Sequence, residues 1–226
     1  MKVEIISATR LSRQDFGAKS ALGRSLQRLA YEPRLFMRIT LSNTRGLPQV
    51  YNESIGAADP ESIVVMMHDD VWIDDYFLCQ RLAEGLARYD VIGVAGNRRR
   101  LPGQSGWAFL DESLRMDDKA NFSGAVAHGQ YPFGAVDHYG ESPADCELLD
   151  GVLLAARKSV LAEKRVGFDP RFAFDFYDMD FCRAARASGL RLGTWPLCVT
   201  HQSVGVGYRT ERWKNAYRTY LEKWGS

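Results

Sequence analysis

The chain has almost no charge of one sign to spare: 29 Lys and Arg stand against 28 Asp and Glu, a formal net charge of +1. That balance argues against nucleic acid as the main partner, because binding to phosphates draws on a basic excess. Cysteine is scarce. The four, Cys79, Cys146, Cys182 and Cys198, include no C-x-x-C pair, so neither a zinc knuckle nor a disulfide framework is expected. Long hydrophobic runs are missing as well. The longest fall far short of the ~18 residues of a membrane span, and Met1-Lys2-Val3-Glu4 lacks the apolar stretch of a signal peptide. The expectation is a cytoplasmic protein with reduced thiols and no transmembrane segment. No internal repeat and no low-complexity tract is present. What remains is ordinary globular composition, 46% hydrophobic and 25% charged over 226 residues, enough for one domain with its own core.

The apolar pattern alternates between strand and helix. Val3–Ala8 reads as a buried strand, and 9–19 as a polar loop. Residues 20–31 carry Leu22, Leu26 and Leu29 at helical spacing until Pro33. Residues 35–41 form a strand, 43–46 a turn and 51–58 a short helix. Residues 62–67 are nearly all apolar, as suits a strand covered on both faces. A helix over 74–88 and a strand over 90–96 follow. From 97 to 146 periodicity fades, and the stretch reads as a long loop, a length that in a compact domain is usually functional. Strand 147–156, helix 158–163, helix 178–188 stopped by Gly189, and strand 191–199 restore the alternation. Residues 212–224 form a C-terminal helix with Trp213, Tyr217, Tyr220 and Trp224 on one side. The expected fold is α/β, a single domain over 1–226 with a mostly parallel central sheet flanked by helices.

Chemistry-bearing residues gather where strands end. His68-Asp69-Asp70 closes the apolar strand 62–67, and open α/β sheets bind ligands beyond the carboxyl ends of their strands. Carboxylates there suit Mg²⁺ or Mn²⁺, or simply the first turn of a helix. Asp175-Phe176-Tyr177-Asp178-Met179-Asp180 sets three carboxylates among aromatics, a setting that raises a carboxyl pKa toward that of a general base; helix capping explains it equally well. Asp180 and Arg183 stand three apart and are able to pair. His201 follows a strand, as a metal ligand or a hydrogen-bonded structural residue. Asp150-Gly151 marks a tight bend or a close backbone approach. Arg98-Arg99-Arg100 and Trp107 lie in the long loop, as anion and sugar contacts or as a solvated stretch and packing.

Taken together and in this order, Val64 to Val71, Asp150-Gly151, Gly167-Phe168-Asp169, Tyr177-Asp178, Asp180 with Arg183, and His201 resemble the family 2 glycosyltransferases of the GT-A fold. The likeness extends from Val3 to His201, and is nearest the subgroup resembling the streptomycin-biosynthesis-associated glycosyltransferase-like domain. His68 stands where the family commonly has the first Asp of an Asp-x-Asp motif, and Tyr177 where it has Glu. The resemblance implies a GT-A-like fold whose long loop 97–146 lies on the acceptor side, and a metal-dependent, inverting sugar transfer from a nucleotide-diphosphate sugar, with a UDP-sugar first among donors. It implies Asp70, His68 and His201 as ligands of Mn²⁺ or Mg²⁺ and Asp178 as catalytic base. Thr9, Asn43, Asn52 and Asp69 are expected at the nucleotide, and Asp150 and Gly151 near the donor sugar or acceptor. The acceptor is a hydroxyl of a glycan, a lipid-linked molecule or a small molecule. The 208–226 segment is expected to pack on the domain or on a second copy, or to touch a membrane surface. A non-catalytic sugar-nucleotide-binding scaffold remains an alternative. So, less strongly, does a nucleotidyltransferase, which usually has a Gly-rich basic loop after its first strand where this chain has Ser7-Ala8-Thr9-Arg10.

Overall fold

The computed structural model of the protein describes residues 1–203 and 207–225. In chain order the elements are β1 Val3–Ala8, α1 Arg13–Lys19, α2 Ala21–Arg28, β2 Leu35–Thr40, α3 Leu47–Ala57, β3 Ile63–Met67, β4 Val71–Ile73 and α4 Leu78–Gly85. β5 Val91–Gly93, β6 Ala95–Asn97, β7 Phe122–His128, β8 Ala135–Gly140, β9 Ala144–Asp145, β10 Leu148–Leu149 and β11 Leu153–Arg157 follow. α5 Lys158–Lys164, α6 Tyr177–Ala187, β12 Leu192–Thr194, β13 Val199–His201 and α7 Glu211–Trp224 complete it.

The main sheet has the order β2-β1-β3-β11-β5-β12-β9. β2, β1 and β3 pair in parallel, as do β5 and β12; β11 is antiparallel to β3 and β5, and β9 to β12. Five of the seven strands therefore run one way, as the continuous apolar runs led one to expect. β3 shows why such a run forms: successive side chains point to opposite faces, and both faces are covered. Ile63, Val65 and Met67 pack with Leu22 of α2 and Leu78 and Leu82 of α4. Val64 and Met66 pack with Tyr51 of α3 and Met179 and Phe181 of α6. All five β3 residues are fully buried, each worth about 1.5–3 kcal/mol.

The stretch 97–146 is not one long loop. It supplies β7 and β8 to a second sheet, ordered β10-β6-β7-β13-β4 with β8 beside β7, and β9 to the edge of the first. β7, Phe-Ser-Gly-Ala-Val-Ala-His, sets mostly small residues between Phe122 and His128, and β8 is mostly exposed, so neither shows the apolar alternation that marks a strand. Trp107 packs edge-on against Phe122 and Tyr139 rather than standing free, and Arg99 is spent on buried Asp117. Strand 90–96 splits at Val94 into β5 and β6, which belong to different sheets. Residues 147–156 split around Asp150-Gly151 and 191–199 split into β12 and β13. The 9–19 loop contains α1, whose Ser12 cap accepts from Asp15 N at 3.2 Å and which buries only Phe16. Helix 74–88 is observed as Leu78–Gly85: β4 pairs with β13 over 71–73, Asp74 N continues to Cys198 O at 2.9 Å, and the Asp75 carboxylate accepts from Phe77 N at 2.9 Å.

The C-terminal helix α7 packs on its own domain. Trp213, Tyr217 and Tyr220 are buried against Phe176. The expected Asp180–Arg183 pair does not form. Asp180 is fully buried and binds Lys223 Nζ and Trp224 Nε1, each at 2.7 Å, while Arg183 lies over the Trp224 ring at 4.6 Å. Among the described residues no helix is long and apolar enough to cross a membrane.

Candidate functional site

Strand direction and register bring the motif residues to one edge. β1 and β3 are parallel with Ile6 opposite Met66, so three residues further on Thr9 comes beside Asp69. The Thr9 hydroxyl hydrogen-bonds the Asp69 carboxylate. Burial, with Asp70 adding to it, pushes the Asp69 carboxyl up in spite of that bond. β11 runs back along β3, with Leu153 opposite Met67 and His68 N donating to Val152 O at 3.3 Å, so Asp150 and Gly151 lie at the same edge. In the second sheet His201 stands opposite Val71, and Gln202 N donates to Asp70 O at 3.0 Å. Two distant strands thus deliver His201 to Asp70.

Among the described residues, His68, Asp70 and His201 offer ligand atoms that all lie within 4.8 Å of one another. His201 Nε2 is 3.3 Å from Asp70 Oδ1, yet it is buried and makes no hydrogen bond of good geometry among the described residues. A buried lone nitrogen facing a carboxylate fits a cation bound between them. Two imidazoles with one carboxylate suit a borderline divalent ion such as Mn²⁺ better than Mg²⁺, which prefers oxygen ligands. Burial would raise the Asp70 carboxyl, but the His201 and His68 rings outweigh it and hold it low. Burial would lower His201, and Asp70 outweighs that in turn, raising it. His68 is lowered by burial, which favours the neutral imidazole that a metal requires.

Asp178 sits in the first turn of α6. Its Oδ2 accepts from Gly151 N at 3.0 Å and its Oδ1 from Met179 N at 2.9 Å. Burial, and after it the charge of Asp150, push its carboxyl up to about 7. A carboxylate poised near neutrality is suited to take a proton. The turn into α6 is made by Phe176, a non-glycine residue in the left-handed region at φ 65°. Its ring is clamped among Trp213, Tyr217 and Tyr220. The aromatic face of α7 therefore holds the strained turn that aims Tyr177 and Asp178.

Not every expected residue reaches this cluster. Asn43 N donates to Thr9 O at 2.8 Å, which keeps it at the edge, but its amide closes its own turn onto Arg45. Asn52 is directed elsewhere. Its amide donates to Phe168 O at 2.7 Å and accepts from Phe168 N at 2.9 Å, and it lines a separate crevice with Lys158 and Arg165. Tyr177 enters the sequence reading only as a departure from a family motif, and Phe174 and His128 do not enter it at all. Tyr177 Oη lies 2.9 Å from His68 Nε2 and 2.8 Å from Gly151 O. Phe174 stacks on His68, with ring centroids 5.6 Å apart. His128 stands 6.0 Å from the His201 ring. The aromatic run 174–177 was the available signal for the first two; His128, on a strand of small residues, gave none.

No protein-family model matches the chain, and no curated protein sequence does. Solved structures do resemble it. The catalytic domain of Drosophila β1,4-galactosyltransferase 7 in complex with xylobiose matches at TM-score 0.53 and 13% identity, over 96% of this chain and 79% of that one. A mutant of that enzyme with manganese, UDP-Gal and xylobiose matches at TM-score 0.50 and 9% identity, over 92% and 68%. GalNAc-T7 with UDP, GalNAc and Mn²⁺ matches at TM-score 0.53 and 12% identity, over 99% of this chain; the chain spans about half of that structure's length, 48%. The GT-A-like α/β fold expected from the sequence is the fold that these likenesses give.

Proposed function

We propose that the protein is a metal-dependent glycosyltransferase that moves a sugar from a nucleotide-diphosphate sugar to an acceptor hydroxyl, with inversion. The observation that carries this reading is the juxtaposition at one sheet edge of a half-buried His68, Asp70 and His201 ligand set with an Asp178 carboxyl raised to about 7. The structural neighbours with manganese, UDP-Gal, UDP and GalNAc support the same class of donor.

His68, Asp70 and His201 would hold Mn²⁺ or Mg²⁺, which supplies Lewis-acid neutralisation of the departing diphosphate. Thr9 and Asp69, linked at the end of β1 and β3, with Asn43 behind them, face the nucleotide in this reading, and a UDP-sugar is the first donor to try. Asp178 takes the proton of the acceptor hydroxyl as its oxygen attacks the anomeric carbon and the nucleotide diphosphate departs. One base and attack opposite the leaving group invert the anomeric centre. The two N–H donors on Asp178 fix the carboxylate's orientation and leave lone pairs for that proton. Asp150 keeps Asp178 basic by its charge. The half-exposed ring of Tyr208 and the Tyr139 ring lie within electrostatic reach of Asp150 and frame the acceptor side. Family 2-like membership and a cytoplasmic setting, in keeping with free thiols at Cys79, Cys146, Cys182 and Cys198, belong to the same proposal. The test is Asp178→Asn: transfer falls by 10²–10⁴-fold or more, while Mn²⁺-dependent nucleotide binding stays near wild type. Retained transfer in that variant removes Asp178 as base.

A further inference from the structure

Hydrogen-bond direction at the site determines more than which residues meet. Tyr177 Oη is 2.8 Å from Gly151 O. A carbonyl oxygen only accepts, so the single phenolic proton is committed to it. The other contact of Tyr177 Oη, His68 Nε2 at 2.9 Å, must then be a donor. A hydrogen bond also joins the Tyr177 and Tyr51 hydroxyls; either hydroxyl is able to supply its proton, and since Tyr177 has a carbonyl at 2.8 Å while Tyr51 has only Met67 O at 3.4 Å, Tyr51 is the donor of that pair. The face of the His68 ring is meanwhile packed against Phe174, at an interplanar angle of 28°. Ring tilt is thus held by Phe174 and rotation in the ring plane by Tyr177.

We propose that Tyr177 is a positioning residue that locks His68 in the Nε2–H tautomer, so that Nδ1 is the atom His68 offers to a metal. The inference rests on the metal site of the proposed function. A metal-ligating histidine commonly donates its other N–H to an oxygen that fixes tautomer and orientation; here that oxygen is a phenol rather than a carboxylate. The same phenol reaches the general base. Gly151 accepts from Tyr177 through its carbonyl and donates to Asp178 through its N–H. One peptide unit therefore ties the metal ligand to the base, and Tyr177 does in this chain what no Glu at that position is able to do, since a carboxylate cannot donate to Gly151 O.

The test is the tautomer itself. With only four histidines in the chain, long-range ¹H–¹⁵N correlation spectra of ¹⁵N-His-labelled full-length protein, metal-free at pH 8, resolve each ring; His68→Gln assigns the signal. The expected wild-type pattern is a protonated Nε2 and an unprotonated Nδ1. In Tyr177→Phe the expected pattern is a mixture of tautomers, with Mn²⁺ affinity, titrated with the ion alone, weakened by about 10–100-fold. A wild-type His68 protonated at Nδ1 overturns the proposal without any variant being needed. So does a folded Tyr177→Phe whose tautomer and Mn²⁺ affinity are both unchanged. A wild-type protein that shows Nε2–H but binds no Mn²⁺ sinks the metal reading and leaves the tautomer lock standing.

Discussion

The raised carboxyl of Asp178 makes a prediction about stability that needs no substrate. Its pKa goes from 3.8 to about 7 on folding, so the folded protein holds a proton there that the unfolded chain has already released. The sign follows: between pH ~4 and ~7 the unfolded state binds fewer protons, and this group's contribution to stability declines as pH rises. Below pH ~4 it costs nothing; above pH ~7 the full penalty, on the order of 4 kcal/mol, is present. Asp178→Asn carries no charge to bury. It forfeits part of one backbone hydrogen bond, roughly 1 kcal/mol, at every pH. The thermal midpoint of Asp178→Asn relative to wild type should therefore climb between pH 5 and pH 8 by on the order of 2–3 kcal/mol. With unfolding entropies near 2.1 cal/mol/K per residue, that is about 5 °C for a chain of this length. Scanning fluorimetry or calorimetry of both proteins in matched buffers reads it. A midpoint difference that stays flat from pH 5 to pH 8 refutes the raised carboxyl, and with it the poise of the proposed base.

Four further outcomes follow from the same geometry. Asp150→Asn removes the second cause of the Asp178 shift, after burial, so the pH at which kcat/KM rises moves downward while the rise itself remains; an unmoved profile rules Asp150 out of that role. Gly151→Ala sets a Cβ 2.3 Å from Tyr177 Oη and 2.9 Å from Asp178 Cβ, so transfer is lost, with misplaced Tyr177 and Asp178 as the cause; activity within a few-fold of wild type contradicts the peptide link. Asp180→Ala leaves Lys223 with Asp169 alone and unpins Trp224, costing about 1–3 kcal/mol for the lost hydrogen bonds; the folded fraction keeps its turnover per molecule if Asp180 anchors α7 and nothing else. His201→Ala abolishes the thermal stabilisation by Mn²⁺ plus nucleotide, and an unchanged shift excludes His201 as a ligand.

Much of this site is legible in the sequence because strand ends are. The apolar run into His68-Asp69-Asp70 marks a doubly covered strand and its carboxyl end, and the order of motifs after it puts Asp178 and His201 forward as candidates for the same edge. The second sheet is not legible. β7 buries Phe122 and Val126 among Ser, Gly and Ala and β8 is exposed, so neither carries an apolar rhythm; β8 pairs with its neighbour β7, and β7 otherwise pairs with β6 and β13, which lie farther off in the sequence. The same holds for β4 and β6, three residues each, which look like the tails of neighbouring elements. α1 has a capping signal, Ser12 followed three residues later by Asp15, but one buried Phe16 is too little to show a helical period. Asn52 illustrates the opposite error: a polar residue ahead of an acidic strand end suggests a ligand contact, but its amide is fully engaged with the Phe168 backbone 116 residues away. Tyr177 was visible as a departure from a family pattern, and its role appears only once its hydroxyl is seen between His68 and Gly151.

The central claim, a metal-assisted nucleotide-diphosphate site, is tested most directly by thermal unfolding with UDP, GDP, dTDP and CMP, each with Mn²⁺, Mg²⁺ or EDTA. A ligand at 100 times its dissociation constant adds about 2.7 kcal/mol, roughly 5 °C here. The account predicts a shift of that size for one diphosphate, UDP first, present with metal and lost with EDTA. No shift for any nucleotide with either metal contradicts it.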